Sequence, residues 1–196
     1  RILKQPLILI LSQKLKNIFE EKFNPEHPDA VWCSDITYIW TYEGFDILPV
    51  LWIYIPENHF WVLSETLEAS HVVKCIEKAK QSRHIENPLI FHCDRGCQYV
   101  SEAFHKATEG MIHSYSKKAY PWDNACIESF HALLKREWIN RFKIFNYTHA
   151  YKLIFEYIET FYNTVRIHSH CGYLSPNEYE EQYLKNLETT VTSLAS

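Results

Sequence analysis

Apolar and polar positions along the chain change their period several times, and each change marks an element. The run VWCSDITYIW from Val31 is dense in β-branched and aromatic residues and reads as a strand, ended by a turn over residues 41–44. Residues 47–55 form a second, nearly continuous apolar stretch, and 60–64 a short third. The period then lengthens: Leu67, Val72, Val73, Ile76 and Ala79 recur at helical spacing, which predicts an amphipathic helix of about five turns over 65–83. After Asn87-Pro88, the run LIFHC reads as a short buried strand, 101–109 as a helix with Ser101 as its N-cap, and 111–115 as a further strand. A polar loop over 116–122 leads to Asp123-Asn124 and a long helix reaching about Trp138. A last helix over 148–165 carries Tyr151, Ile154, Phe155, Ile158 and Tyr162 on one face.

Three strands, a helix, a strand, a helix, a strand and long helices form an α/β order in which an antiparallel meander feeds parallel strands. Residues 1–30 precede it: a basic, apolar opening, a short amphipathic stretch, then the breakers Asn24-Pro25 and His27-Pro28, the make-up of a connector. The chain opens on Arg1 rather than methionine, so we expect a part of a longer product.

Composition narrows the class. With 196 residues, 46% of them hydrophobic and only four glycines, the chain is long enough for one folded domain with a helical appendage, and disorder is excluded. No apolar run approaches the ~20 residues of a membrane span, so no membrane partner is expected. Six scattered cysteines form no dense disulfide framework, which points to a reducing cytoplasm. Twenty Lys and Arg against 24 Asp and Glu give net −4, which speaks against a surface that grips nucleic acid everywhere but leaves room for a local basic patch.

Three carboxylates occupy special places. Asp35 lies within the first strand, on the face it shares with Cys33 and Thr37. Asp94 follows directly on LIFHC, at the carboxyl end of a strand, where open α/β sheets place ligands. Glu128 sits in the first turns of the long helix. A carboxylate in a buried strand needs a partner or a cation. Together the three would make an oxygen-only ligand set suited to magnesium or manganese, and two such ions would clamp the attacking and leaving oxygens of a phosphoryl transfer. The same residues also fit plainer roles: Asp35 paired with a lysine or arginine, Asp94 capping a turn before Gly96, Glu128 favouring a helix N-terminus.

The wording of four blocks separates these readings. VWCSDITYIW, LIFHCDRGCQYVSEAF, YSKKAYPWDNACIESFHALLKRE and FYNTVRIHSHCGYLSPNEY, in that order, closely resemble the integrase catalytic core of bacterial insertion-sequence transposases of the OrfB type, akin to retroviral integrases. The resemblance runs over about residues 24–179. It implies a ribonuclease H-like fold: a five-stranded mixed sheet, three strands antiparallel and then two parallel, flanked by helices. It implies a catalytic core over 31–166, a C-terminal extension over 167–196, and an upstream DNA-binding region, a helix-turn-helix domain or companion polypeptide, joined through 1–30. It maps a DDE triad onto Asp35, Asp94 and Glu128 as catalytic residues and ligands of two divalent cations, Mg2+ or Mn2+. The implied reaction cleaves DNA strands with water and then joins the freed 3′-hydroxyl to another strand, with no covalent protein intermediate. The partners implied are transposon ends and target DNA, with self-association on DNA in a bacterial cytoplasm, at the nucleoid when active.

Other residues are weighed beside that picture. Asn124, Lys135 and Arg136 match positions near the active site or on the DNA-facing side of the long helix. Lys135, seven residues after Glu128, lies on nearly the same helix face. With His131, Arg141 and Lys143 it makes a basic strip suited to phosphates, or equally a solvated helix face. Arg95, Gly96, Gln98 and Tyr99 complete the motif after Asp94, and Gly96 also fits a plain turn residue. Tyr162, Asn163, Arg166, His168 and Pro176 read as packing and capping. His92, Cys93 and Cys97, and Cys171 with His168 and His170, cluster in sequence, but neither set supplies four ligands at zinc-finger spacing.

The segment DILPVLWIYIPENHF over 46–60 departs from the family, and Pro49 falls in a strand expected inside the sheet, where it would remove a ladder donor. With suitable synonymous codons for residues 46–58, reading two bases later gives YFTSIMDLYSRK, close to the family's own wording, so a frameshifted stretch is expected here. The interval between Asp94 and Glu128 is slightly short for the family, and Ala119 stands where a loop glycine is usual. The alternatives are a catalytically impaired remnant acting at most as a DNA-binding domain, and a ribonuclease H-like nuclease.

Overall fold

A computed structural model describes residues 17–18, 28–54, 58–83, 85, 88–117 and 121–194; most of the connector expected over 1–30, and Ala119, lie outside the described residues. Five strands form one sheet: β1 (Val31–Thr41), β2 (Gly44–Ile53), β3 (His59–Trp61), β4 (Ile90–Cys93) and β5 (Ile112–Tyr115), in the spatial order β3-β2-β1-β4-β5. The pairs β1–β2 and β2–β3 are antiparallel, and β1–β4 and β4–β5 parallel, as the sequence order predicts. The helices are α1 (Ala69–Ser82), α2 (Glu102–Ala107), α3 (Ala125–Glu137), α4 (Tyr147–Phe155) and α5 (Pro176–Leu194).

β1 is central, so its alternating side chains feed cores on both faces. Cys33 and Ile39 pack with Ile127, Phe130 and Leu134 of α3 and with Leu153 and Ile154 of α4. Trp32, on the other face, packs with Val72 and Ile76 of α1 and Phe104 of α2. Helices therefore cover both sides of the sheet.

Pro49 is accommodated for a definite reason. It stands opposite Ile36 of β1, yet its carbonyl accepts from Val62 N at 3.2 Å, on the β3 side. Carbonyl and N–H of one strand residue point the same way, so the missing donor is lost toward the short β3 and not from the long β1–β2 ladder. Regular pairing of β3 ends at Trp61 and resumes only as a bridge between Ile47 and Ser64.

Two helix boundaries differ from the sequence reading. The helix expected from residue 65 starts at Ala69, because the Ser64 hydroxyl donates to Thr66 O and accepts from Thr66 N, a local turn that competes with helix. The last helix of the core is α-helical only to Phe155 and continues as a wider π-turn, Glu156–Tyr162, which carries Glu159 to the Trp61 indole N–H at 2.8 Å and Tyr162 to the edge of the His59 ring. Ser101 caps α2 as expected, its hydroxyl accepting from Phe104 N at 3.2 Å. Pro176 opens α5, and Ser175 with Glu178 forms a reciprocal capping box there. The helix docks through Asn177 N on Asn163 O and through Glu180 on the Arg83 guanidinium, which also holds Asp29.

Candidate active site

Parallel pairing of β1 with β4 stops at Ser34 opposite Cys93. The next residues on the two strands are Asp35 and Asp94, so the register sets these carboxylates side by side where the strands part. Asp35 stays anchored through β2, opposite Val50. Asp94 begins a turn in which Gly96 N donates to its Oδ1 at 2.8 Å. Gly96 has an ordinary φ of −58°, so left-handed backbone is not why glycine stands here. Its role is close approach, because a Cβ there would lie 3.0 Å from Asp94 Oδ1 and 3.2 Å from Gln98 Oε1. That sharpens the plain turn-residue reading.

The third carboxylate comes from α3. Ile127, Phe130 and Leu134 bury one face of this helix on β1, which leaves Glu128, in the first turn, exposed beside the strand ends. The helix start is tied to the exit of β5 by Asp123 Oδ2, which accepts from Lys117 N at 2.6 Å. Burial pushes the Asp35 carboxyl up to about 7; the backbone N–H of Ile36 opposes this, the charges of Asp94 and Glu128 add to it, and Lys135 works against it. The three acidic groups thus crowd one another electrostatically.

His131 does not lie on an exposed basic strip. It is buried one turn beyond Glu128, with Nδ1 3.5 Å from Asp35 Oδ2. Burial, and to a lesser degree Lys135, pushes its imidazole down to about 3, so near neutral pH the contact joins a neutral ring to a carboxyl and is not an ion pair. Asn124 is also buried, at the N-cap of α3, where its side chain makes no capping bond. Lys135 is half-buried, its ammonium lowered by burial and partly restored by Asp35. Arg136, Arg141 and Lys143 are exposed.

The motif after Asp94 supplies supports. Tyr99 is buried, its hydroxyl 2.9 Å from the Ser34 hydroxyl, which in turn donates to Val50 O at 3.0 Å. This braces the residue before Asp35. Gln98 is buried and its amide reaches Leu67 O at 3.4 Å, while Arg95 donates to Ser116 O at 2.9 Å. The Ser34–Tyr99 brace escaped the sequence reading, although a serine alternating with Trp32 and Ile36 on a core-facing side signals a buried hydroxyl that needs a partner.

Among the described residues, no three His, Cys, Asp or Glu side chains are drawn together closely enough to hold a metal ion. The donor chemistry of Asp35, Asp94 and Glu128 nevertheless fits a hard divalent cation: all ligands are oxygens, and Asp35, raised first by burial and further by the charges of Asp94 and Glu128, carries negative charge that a cation would relieve. His92 lies off this set, with Nδ1 2.9 Å from Ser114 Oγ, while Cys93 is in the core and Cys97 exposed.

Two family models, each described as an integrase core domain, match residues 25–121 and 109–176. The chain is 37% identical over 168 residues to the transposase for insertion sequence element IS904 of Lactococcus lactis, covering 84% of this chain and 66% of that protein. It is 34% identical over 174 residues to transposase InsF for insertion sequence IS3A of Escherichia coli, covering 86% of this chain and 60% of that one. The chain thus spans somewhat under two thirds of the length of these relatives. Among solved structures it is similar to the simian T-cell lymphotropic virus intasome, with TM-score 0.64, 15% identity, and 88% of this chain and 66% of that one covered. It is also similar to the HTLV-2 integrase catalytic core domain in complex with magnesium, with TM-score 0.57, 12% identity, and 80% of this chain and 99% of that one covered. At such identities the likeness carries the fold alone, the ribonuclease H-like fold of retroviral integrase cores. By its motifs, its sheet and its relatives, the chain belongs to the integrase core family of bacterial insertion-sequence transposases.

Proposed function

We propose that the chain is a transposase catalytic core that cleaves DNA strands and joins the freed 3′-hydroxyl to a second strand. The observation that carries this is the register: pairing ends at Ser34 and Cys93, which sets Asp35 beside Asp94, with Glu128 close enough to raise the Asp35 proton affinity. Asp35, Asp94 and Glu128 would hold two divalent cations, Mg2+ or Mn2+, as the magnesium in the related HTLV-2 core suggests. When bound, such cations activate the attacking oxygen and stabilise the leaving one. The chain's own residues do the positioning. Gly96 N–H orients Asp94, and the Tyr99–Ser34 brace holds the strand at Asp35. Buried His131 packs Nδ1 against the Asp35 carboxyl at 3.5 Å. Lys135, Arg136, Arg141 and Lys143 would take DNA phosphates, and Asn124 would support the start of α3. The partners are transposon ends and target DNA, with self-association on DNA and an upstream helix-turn-helix region, in the bacterial cytoplasm at the nucleoid.

A labelled duplex carrying a candidate transposon end, taken from inverted repeats sought in the DNA on either side of the gene, tests this with magnesium or manganese. Cleavage followed by a longer joined product is expected, with both lost in Asp94→Asn. Cleavage that survives Asp94→Asn would overturn the mechanism, and hydrolysis without joining would identify a nuclease.

A further inference from the structure

Beyond Ser34, β1 pairs only with β2, so from Asp35 to Thr41 its other edge opens toward α3 among the described residues. A cavity of about 470 Å³ lies there, lined by Tyr38, Trp40 and Ile144 with Lys135, Asn140 and Phe142. That volume falls within the range of small-molecule sites, roughly 300–1,000 Å³. The aromatic rings are unusually bare: Trp40 is 63% exposed, Tyr38 46% and Phe142 40%. Trp40 is propped edge-on by Phe45, ring centroids 4.4 Å apart, so its orientation is set without covering it. Phe142 stands between the exposed cations Arg141 and Lys143.

Bare aromatic rings interleaved with cations, around a pocket that also carries an amide, match one ligand chemistry. A nucleotide brings a flat π-face for the rings, a polar edge for Asn140 and a phosphate for Lys135. A base inside a duplex has both faces covered by its neighbours and a blunt terminal pair exposes one, whereas an unpaired base can offer both faces for stacking. Tyr38 lies three residues along β1 from Asp35, roughly 10 Å at ~3.3 Å per residue and on the opposite face of the strand, so the link between the cavity and the carboxylates is Lys135, which lines the cavity and acts electrostatically on Asp35. Building on the proposed function, we infer that this groove captures an unpaired nucleobase of the DNA strand next to the cleavage point, stacked on Trp40 and Tyr38 with its phosphate on Lys135. The site thereby selects frayed or distorted DNA ends over intact duplex.

The test compares the full chain binding a fluorescent blunt duplex with the same duplex carrying three unpaired nucleotides at one end, by anisotropy in calcium. The wild-type chain is expected to prefer the unpaired end by roughly 5- to 150-fold, the range of one stacked base. Trp40→Ala should erase the preference and leave blunt-duplex affinity unchanged, and Trp40→Phe should restore most of it. 2-Aminopurine placed in the unpaired end should be quenched by the wild-type chain and not by Trp40→Ala. Equal binding of both duplexes by the wild-type chain would overturn the inference and leave the catalytic reading intact. Absence of any DNA binding would overturn both. If Trp40→Ala changes the oligomeric state and not the DNA preference, the patch is a contact with a second copy, and the inference fails.

Discussion

Asp35 is where burial and charge crowding meet, and its pH dependence follows from the direction of its shift. Its folded-state carboxyl is pushed up to about 7, above the ordinary value of 3.8 for an unfolded chain. A group raised on folding contributes stability that is fully present below about pH 3.8 and is lost as the pH rises through about 7. In the metal-free chain, Asp35 should therefore weaken folding between pH 4 and 8 by an amount on the order of 4 kcal/mol at most. Denaturant unfolding of Asp35→Asn should be markedly steadier across that window than wild type. Parallel stability profiles would mean that Asp35 is not crowded in this way. Gly96 gives a second residue-scale expectation. Gly96→Ala places a methyl against Asp94 Oδ1 without backbone strain, so DNA cleavage should fall about 10- to 100-fold, as for residues that orient metal ligands, while the melting temperature barely moves.

Among the elements, α3 decides whether Glu128 faces the strand ends, and its grip on β1 is apolar. Leu134→Ala removes a fully buried side chain from that contact and should lower the unfolding free energy by about 2–5 kcal/mol, read from denaturant midpoints. The sheet was legible in the sequence because the start of β1 and most of β2 are buried on both faces, and continuous apolar runs betray such strands. Helix ends were not, since the Ser64 turn and the π-turn depend on individual side-chain partners that periodicity cannot see. At the site, the places of Asp35 in β1, Asp94 after β4 and Glu128 in α3 were readable, but only the resemblance of the surrounding blocks grouped them as a triad. His131 was misassigned to a basic strip because helical spacing places residues on a face without saying whether that face points to solvent or to a neighbouring carboxyl. Within the segment over 46–60, residues 46–53 fold as part of β2 because Leu48, Val50, Leu51 and Ile53 fill the core. Sequencing the gene there checks the frameshift expectation: the frame two bases on should encode a DLYSR-like stretch, and its absence would refute it.

For the whole molecule, one buried junction joins the distant parts. The Arg83 guanidinium, after α1, holds Asp29 ahead of β1 with Nη2–Oδ2 at 2.9 Å and also holds Glu180 of α5, and only 5% of its side chain is exposed. Arg83→Met would leave two carboxylates without their cation, and calorimetry should find a loss approaching the ~3–5 kcal/mol of a broken buried pair. The net charge of −4 also takes on a different meaning at this scale. The charges of Asp94 and Glu128 both act on Asp35, an acidic set whose charge a bound cation would offset, while Arg136, Arg141 and Lys143 are exposed at and after the end of α3. The central claim, that Asp35, Asp94 and Glu128 act together as a cation site, is met most directly by titrating manganese into the full chain and following bound ion by electron paramagnetic resonance. The wild-type chain should bind manganese, and the triple variant Asp35→Asn, Asp94→Asn, Glu128→Gln, shown to be folded by circular dichroism, should not. Undiminished binding by the folded triple variant would contradict the account.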